Sequence, residues 1–317
     1  MIGFGSPSFA SLDDAYIWIV GETMAHGAVA SPRGRETREL LGVTFTLRDP
    51  RRRCLNIRAR RWSLPLAIGE FCWHVSASDE LSSIAYYAPI WREFSDDQIS
   101  ITGSCYGKRI FGRELGERSQ WDLLIQTLEA DPNSRRAILT FHQVPQLALQ
   151  ANATDVACAT SLQFFIRQGK LHAISYMRSN DVIWGFPYDV FLFSMMQEMM
   201  AVRLGLELGE YAHMVGSMHI YSGHYGLAEK ILASPSPDDW AMPSMDSLEH
   251  LPEFLLAESK IRRGEPHSIG LSGYWRDLAD VLTYYSTRRS TPASGRSRLP
   301  VSSPYKYHVV RKDKEEE

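Results

Sequence analysis

A thiol, an isolated acid and three arginines stand out as groups that could act together on an anionic substrate. Cys158 lies in DVACATSLQFF, directly ahead of a strand-like run. Its thiolate would be a nucleophile, although a small buried hydrophobe would fit the same place. Glu70 is the one acid in the apolar stretch 65–77. A carboxyl there is either partly exposed or, if buried, in need of a partner. Arg135, Arg136 and Arg178 could hold a phosphate, because guanidinium forks match that anion, or be solvated charges. His213, His219 and His224 do not have the spacing of a common metal site, so no metal is expected.

These groups need elements to hold them. Residues 12–30 read as a helix with Ser11 as N-cap, 31–39 (SPRGRETRE) as a polar loop, and LGVTFTLRD as a strand from its alternation. Residues 65–77 read as a buried helix carrying Glu70, and 121–130 as a helix ended by Asp131-Pro132. The runs LQFFI and LHAISYM flank RQGK, the pattern of a hairpin. A polar tetrad, Arg178 to Asp181, leads into Trp184-Gly185-Phe186-Pro187 and a Met-rich helix over 188–204 that closes at Gly205. Proline suits the first turn of that helix. A strand is expected near 213–221, and a Ser/Pro/Arg-rich loop over 287–304 before a charged tail, RKDKEEE. There is no internal repeat, no G-x-G-x-x-G, no P-loop and no regular βαβ alternation, which argues against a doubly wound nucleotide-binding domain.

Composition narrows the class. With 44% hydrophobic and 22% charged residues, the 317-residue chain is globular rather than disordered. Its net charge of −3 excludes a protein whose affinity comes from coating phosphate backbone. The four cysteines form no C-x-x-C pair and suit a reduced, intracellular protein. Phe186 to Leu206, the most apolar stretch, contains Asp189, Gln197, Glu198 and Arg203, so no membrane span is expected. No signal pattern opens the chain, and a cytoplasmic location is expected.

The order of the motifs is more specific than any one of them. DPNSRR at 131–136, the cysteine ahead of a Q-F-F strand, RSND at 178–181, GFPYD at 185–189 and GSMHIY at 216–221 resemble the thymidylate synthase family, whose members transfer one carbon to C5 of a pyrimidine nucleotide. The resemblance is strong from Ser134 to Tyr221, recognisable from Arg33 to Tyr106, and fades after about residue 235. It implies an α+β fold, a single domain over 1–286 with a large mixed β-sheet flanked by helices, followed by the 287–317 segment. It also implies a homodimer packed sheet to sheet.

By the same resemblance, Cys158 adds to C6 of the base and makes C5 nucleophilic toward a one-carbon unit from 5,10-methylenetetrahydrofolate. Nearby arginines should favour its thiolate. Arg178, with Ser179 beside it, would hold the phosphate together with Arg135 and Arg136 of the partner subunit. Arg33, or Arg35 if the alignment slips, would add to them. His219 and Tyr221 match the pair on the sugar hydroxyl, Glu70 a water-ordering proton relay, and Tyr106 a group near the C5 proton. Asp181, Trp91 and Arg60 match folate positions, Arg60 as a cation for the glutamate tail, although it also stands in a generally basic strand.

Three departures bear on the product. Asp189 stands where thymidylate synthases have asparagine. A carboxylate accepts from a cytosine amino group and a protonated N3 but meets uracil O4 acceptor to acceptor, so cytosine is expected; a plain helix N-cap is the other use of such an aspartate. Ala159 replaces the family histidine after the nucleophile. RKDKEEE replaces the short apolar tail that closes over folate, which favours water over hydride in the last step. The expectation is a CMP or dCMP 5-hydroxymethyltransferase, with pyrimidine nucleotide methylation, thymidylate synthesis included, as the alternative. A non-catalytic nucleotide- or RNA-binding dimer is a distant third, motivated by Arg51-Arg52-Arg53 and Arg58-Ala59-Arg60-Arg61. It lacks an aromatic RNA-reading motif, so nucleic acid is not an expected partner.

Overall fold

A computed structural model describes residues 5–113, 117–141, 154–235, 240–266, 270–290, 299–300 and 303–306. Its centre is a mixed seven-stranded sheet in the order β1-β3-β7-β6-β5-β4, with β2 paired to β3. The strands are β1 (Ser8–Phe9), β2 (Ala28–Ala30), β3 (Thr37–Leu47), β4 (Ile138–Thr140), β5 (Ala159–Arg167), β6 (Lys170–Asp181) and β7 (Glu207–Tyr221). Strand β6 runs parallel to β7, whereas β3–β7, β5–β6 and β4–β5 are antiparallel. The expected α+β architecture, a mixed sheet flanked by helices, is the one observed.

Helix α1 (Leu12–His26) opens on Ser11, whose hydroxyl accepts from the Asp14 N–H at 3.2 Å. It stops four residues short of the expected end because residues 28–30 leave to pair with β3. Gly27 makes that exit possible: a Cβ there would lie 2.4 Å from the Thr23 carbonyl oxygen. Helix α2 (Leu64–Val75) buries Phe71, Cys72 and Trp73 and carries Glu70. Short helices α3 (Leu81–Ala85) and α4 (Gly107–Phe111) follow, then α5 (Gln120–Ala130), started by a Ser119/Asp122 capping box.

The hairpin falls where the sequence indicates. Its two-residue turn, Gln168-Gly169, has φ of 54° and 73°, the positive pair that matches strand twist. The polar tetrad forms the last four residues of β6, in register with β7 (Ser179 opposite Ser217, Asp181 opposite His219). Helix α6 (Phe186–Leu204) is apolar nearly all round because it is buried, and Gly205 ends it at φ 65°. Helices α7 (Tyr225–Leu232), α8 (Leu251–Arg263) and α9 (Gly273–Ser290) complete the described helical elements.

Two expectations change here. Helix α9 continues through Ser290, so the loop does not begin at 287, and Tyr305 is fully buried against Trp240 at 5.7 Å. Chain beyond 286 therefore contributes to the core rather than standing apart from it. The arginines Arg51-Arg52-Arg53, which motivated the RNA-binding alternative, are engaged within the fold. Arg53 is buried in an ion pair with Glu198, whose other oxygen accepts from the Met245 N–H at 2.9 Å, and Arg51 and Arg52 pair with Asp49. The RKDKEEE tail lies outside the described residues. Among the described residues no helix is long and apolar enough to cross a membrane.

Candidate active site

Four elements converge on Cys158. It stands one residue before β5, and its carbonyl accepts from the Arg178 N–H of β6 at 2.9 Å. Its Sγ lies 3.7 Å from both Arg178 Nη2 and Ser179 Oγ. The Arg178 guanidinium is itself fixed, donating to the carbonyls of Ala157 (2.8 Å) and Val156 (2.9 Å). From the other side Asp155 accepts from the N–H groups of Gly103 (2.8 Å) and Ser104 (2.7 Å). A Cβ at Gly103 would sit 2.3 Å from the Asp155 carbonyl oxygen, so glycine is required for this approach. The cysteine is thus held in a narrow loop between two clasps, of which the sequence indicated only Arg178.

That approach also brings in Tyr106, the residue before α4. Its ring stacks on His74 (5.3 Å) and its hydroxyl accepts from the Ala159 N–H at 3.2 Å, next to the thiol. Asp189, in the first turn of α6, turns one carboxylate oxygen to Asn180 of β6, which donates at 2.8 Å. Glu70 comes from α2. Burial pushes the Asp189 carboxyl up to about 7, with Asn180 opposing, and Glu70 up to about 8, where the charge of Asp189 adds to burial. Two carboxyls that hold protons near neutrality are a source and a sink for proton transfer.

The thiol behaves differently from the expectation. Burial raises Cys158 above its ordinary value and outweighs the lowering by Arg178, while the charge of Asp189 raises it further. Desolvation, not the arginine, dominates in the free protein.

At the sheet end, His219 of β7 lies opposite Asp181 and Glu39, with Tyr221 edge-on at 5.2 Å. The 31–36 loop is joined to them by the Ser222 N–H donating to the Glu36 carbonyl at 3.0 Å, and Arg35 lies over the Tyr221 ring at 4.6 Å. Arg33 is exposed in the same loop at a positive φ of 51°. Arg135 and Arg136 are exposed ahead of β4, beside the middle of β5, where the Gln163 amide donates to the Arg135 carbonyl at 2.9 Å. Five residues of strand separate Gln163 from Cys158, roughly 17 Å at about 3.4 Å per residue. Within one chain these two arginines are not brought to the thiol.

The positions matched to folate divide. Asp181 uses one oxygen to accept from the N–H groups of Ile183 (2.8 Å) and Trp184 (3.1 Å). Trp184 is 54% exposed beyond it. Trp91 is half-buried, packing on Trp73 at 5.7 Å beside the exposed Phe94. A free carboxylate oxygen and open aromatic faces suit a flat, N–H-bearing heterocycle. Arg60 does not share this openness. It is 4% exposed, donates to the Ile183 carbonyl and lies 4.9 Å from the Trp184 ring, so it supports the 182–184 turn instead of presenting a cation to a tail. No cluster of three or more metal-ligating side chains occurs among the described residues.

The region thus brings together a cysteine clasped beside an arginine and two proton-holding carboxyls on one side of the mixed sheet. The chain belongs to the thymidylate synthase family: the family model described as thymidylate synthase matches residues 14–268. A curated relative, the deoxyuridylate hydroxymethyltransferase of Bacillus phage SP01, is 28% identical over 220 residues, 67% of this chain and 57% of that protein. The matched region thus spans somewhat more than half of the relative's length.

Proposed function

We propose that the protein is a 5-hydroxymethyltransferase of a cytosine nucleotide, CMP or dCMP, that uses 5,10-methylenetetrahydrofolate and water and works as a homodimer. The observation that carries this reading is Asp189: a carboxyl facing the nucleophile's site, held by Asn180, at the position where the family resemblance expects asparagine. An acid of this kind complements cytosine in both protonation states. Neutral, it donates to N3 and accepts from the amino group; ionised, it accepts from both once N3 carries the proton.

Cys158 adds to C6, and the Asp189 proton shared with N3 makes the ring a better acceptor for the thiolate. Arg178 anchors the phosphate and keeps the thiol loop in place. Arg135 and Arg136 of the partner subunit complete that anion site, which accounts for their distance from Cys158 within one chain. Glu70 holds a water and passes protons at the base, with Tyr106 beside the C5 position. Folate, when bound against Asp181, Trp91 and Trp184, supplies a one-carbon unit at the oxidation level of formaldehyde. The hydroxymethyl outcome requires that water reach the methylene left on C5, and the polar pair Glu70 and Asp189 favours a water there. Expulsion of the Cys158 thiolate then restores the aromatic ring.

A second reading, hydroxymethylation of dUMP, is favoured by the name of the phage relative and by the raised Asp189, since a neutral carboxyl can donate to uracil O4. Incubation with CMP, dCMP and dUMP plus the folate separates the readings by mass spectrometry of the nucleotide. Hydroxymethylation releases tetrahydrofolate, whereas methylation releases dihydrofolate. Asp189→Asn is expected to shift the cytosine-to-uracil preference toward uracil by about 10- to 100-fold, the worth of one mismatched buried hydrogen bond. An unchanged preference would refute base selection by this residue.

A further inference from the structure

Asn180 had no assigned role in the sequence, yet among the described residues its side chain is the one that donates to Asp189, and it heads a chain of buried polar groups. Its amide donates to Asp189 Oδ2 at 2.8 Å, and its own oxygen lies 2.9 Å from His213 Nε2. On the far side of that ring, Nδ1 lies 2.7 Å from Ser175 Oγ and 2.8 Å from the Tyr211 hydroxyl, and these two hydroxyls are 2.7 Å apart. Ser175, Tyr211 and His213 are fully buried and Asn180 is 2% exposed. None of these four residues has a buried polar side-chain atom without a partner.

The donors in this chain can be ordered by elimination. An ionised Asp189 oxygen must face a donor, so the Asn180 amide nitrogen points to it and the Asn180 oxygen points to His213. His213 Nε2 must then carry the hydrogen, which leaves Nδ1 as an acceptor. Ser175 and Tyr211 are placed to fill it, one donating to Nδ1 and the other to its neighbour. Burial holds His213 neutral, pushing it down to about 3, so the order persists across the physiological range.

We propose that Asn180 and His213 are positioning residues that fix the polarity of Asp189: they hold Oδ2 as an acceptor, so that only Oδ1 carries the proton presented to the pyrimidine edge. A carboxyl free to protonate on either oxygen would offer donor and acceptor in both orders and would read cytosine and uracil alike. A carboxyl with one oxygen pinned offers one order. The inference rests on the pyrimidine nucleotide reading above and assigns its base selection to a pair of residues that never touch the base.

The other groups facing Asp189 must be counted in any pH dependence. They are Glu70 from α2, Tyr106 ahead of α4, Cys158 ahead of β5 and Tyr211 from β7, each of which senses the Asp189 charge. Losing the Asn180 donor removes the one hydrogen bond that lowers Asp189, so the limb governed by Asp189 must move to higher pH.

The test is calorimetric titration of the full chain with CMP, dCMP, UMP and dUMP between pH 5.5 and 9. Wild type is compared with Asn180→Leu, His213→Phe and His213→Gln, and thermal melts confirm folding. Asn180→Leu and His213→Phe should reduce the cytosine-to-uracil affinity ratio by about tenfold, one lost hydrogen bond to a charged group, and move the binding profile to higher pH. His213→Gln retains an N–H donor and should keep the ratio within about threefold of wild type. An unchanged ratio and profile in folded Asn180→Leu, or equal losses in His213→Phe and His213→Gln, would overturn the proposal. A wild type that binds none of the four nucleotides would instead overturn the nucleotide reading. Nitrogen NMR of histidine-labelled wild type tests the chain without a variant: His213 must be a neutral Nε2–H tautomer from pH 5.5 to 9, and an Nδ1–H or charged ring ends the proposal.

Discussion

Replacing Glu70 by glutamine should stabilise the free protein, and more so as pH rises. Glu70 holds its proton up to about pH 8 in the folded chain, against an ordinary value of 4.5, because burial and the Asp189 charge disfavour its ionised form. A group raised on folding costs nothing below its unfolded value. Its contribution to stability is lost as pH climbs through the window from 4.5 to about 8. At about pH 7 the unfolded chain ionises this group and the folded chain does not. The difference is about 2.5 pH units at about 1.4 kcal/mol each, or about 3 kcal/mol. Sharing of one proton with Asp189 and relaxation around the pair reduce this, so about 2 kcal/mol is expected at pH 7 and about zero at pH 4.5. For a chain of this size that is a rise of about 3 °C in Tm.

Thermal or urea unfolding of wild type and Glu70→Gln at a series of pH values reads this directly. The difference in stability must grow with pH between 4.5 and 8 and level off above. A constant difference, or a loss of stability in the variant at pH 8, would refute the claim that this carboxyl is protonated by burial. The same variant should lose activity, because an amide cannot pass protons. Function and stability then oppose each other at one residue, as expected where a site keeps groups in unfavourable surroundings.

Two further outcomes follow. Arg135→Ala and Cys158→Ser, each inactive alone, should recover about a quarter of wild-type activity when unfolded and refolded together, since half of the dimers are mixed and each has one intact site; no recovery would mean that these arginines do not act across subunits. Arg53→Ala should lower stability by about 3–5 kcal/mol in urea unfolding, because it leaves Glu198 buried without its cation, while Lys170→Ala, at the exposed pair with Glu207, should cost about 0–1 kcal/mol.

Much of this fold was legible because its signals are local. Period-two runs mark β5 and β6, Gly205 closes α6, and Ser11 opens α1 by a side-chain cap. What was not legible depended on pairing at a distance. Helix α1 looked longer because residues 28–30 are compatible with helix until β3 claims them. Arg53 was read within a basic run that suggested RNA and Arg60 as a cation for a folate tail, because a sequence does not show that Glu198, 145 residues on, or the Ile183 carbonyl is waiting for them. Asn180 was visible as a letter within RSND, but its use depends on His213 in β7, a contact set by the parallel β6–β7 register. Asp155 was equally unmarked, and an acid 2.8 Å from the Gly103 N–H in space but 52 residues away in sequence leaves no periodic trace. The groups to which chemistry is assigned were marked by motif order and the family resemblance, whereas the groups that orient them carried no such mark.

The cysteine offers the sharpest check on how the site's charges are balanced. Its thiol is raised by burial, lowered by Arg178 and raised again by Asp189. The two substitutions that remove one charge each must therefore act in opposite directions: Arg178→Gln should move the pH profile of Cys158 alkylation up, and Asp189→Asn should move it down. Iodoacetamide labelling followed by peptide mass spectrometry can read this, because Cys54, Cys72 and Cys105 are buried and Cys158 alone is partly open. Movement in the same direction, or none, would show that these charges do not act on the sulfur. If the signs hold, a nucleotide that shares its N3 proton with Asp189 neutralises the group that opposes the thiolate. Base recognition and nucleophile activation are then one electrostatic event, and a base that cannot share a proton there would leave Cys158 less reactive even when bound.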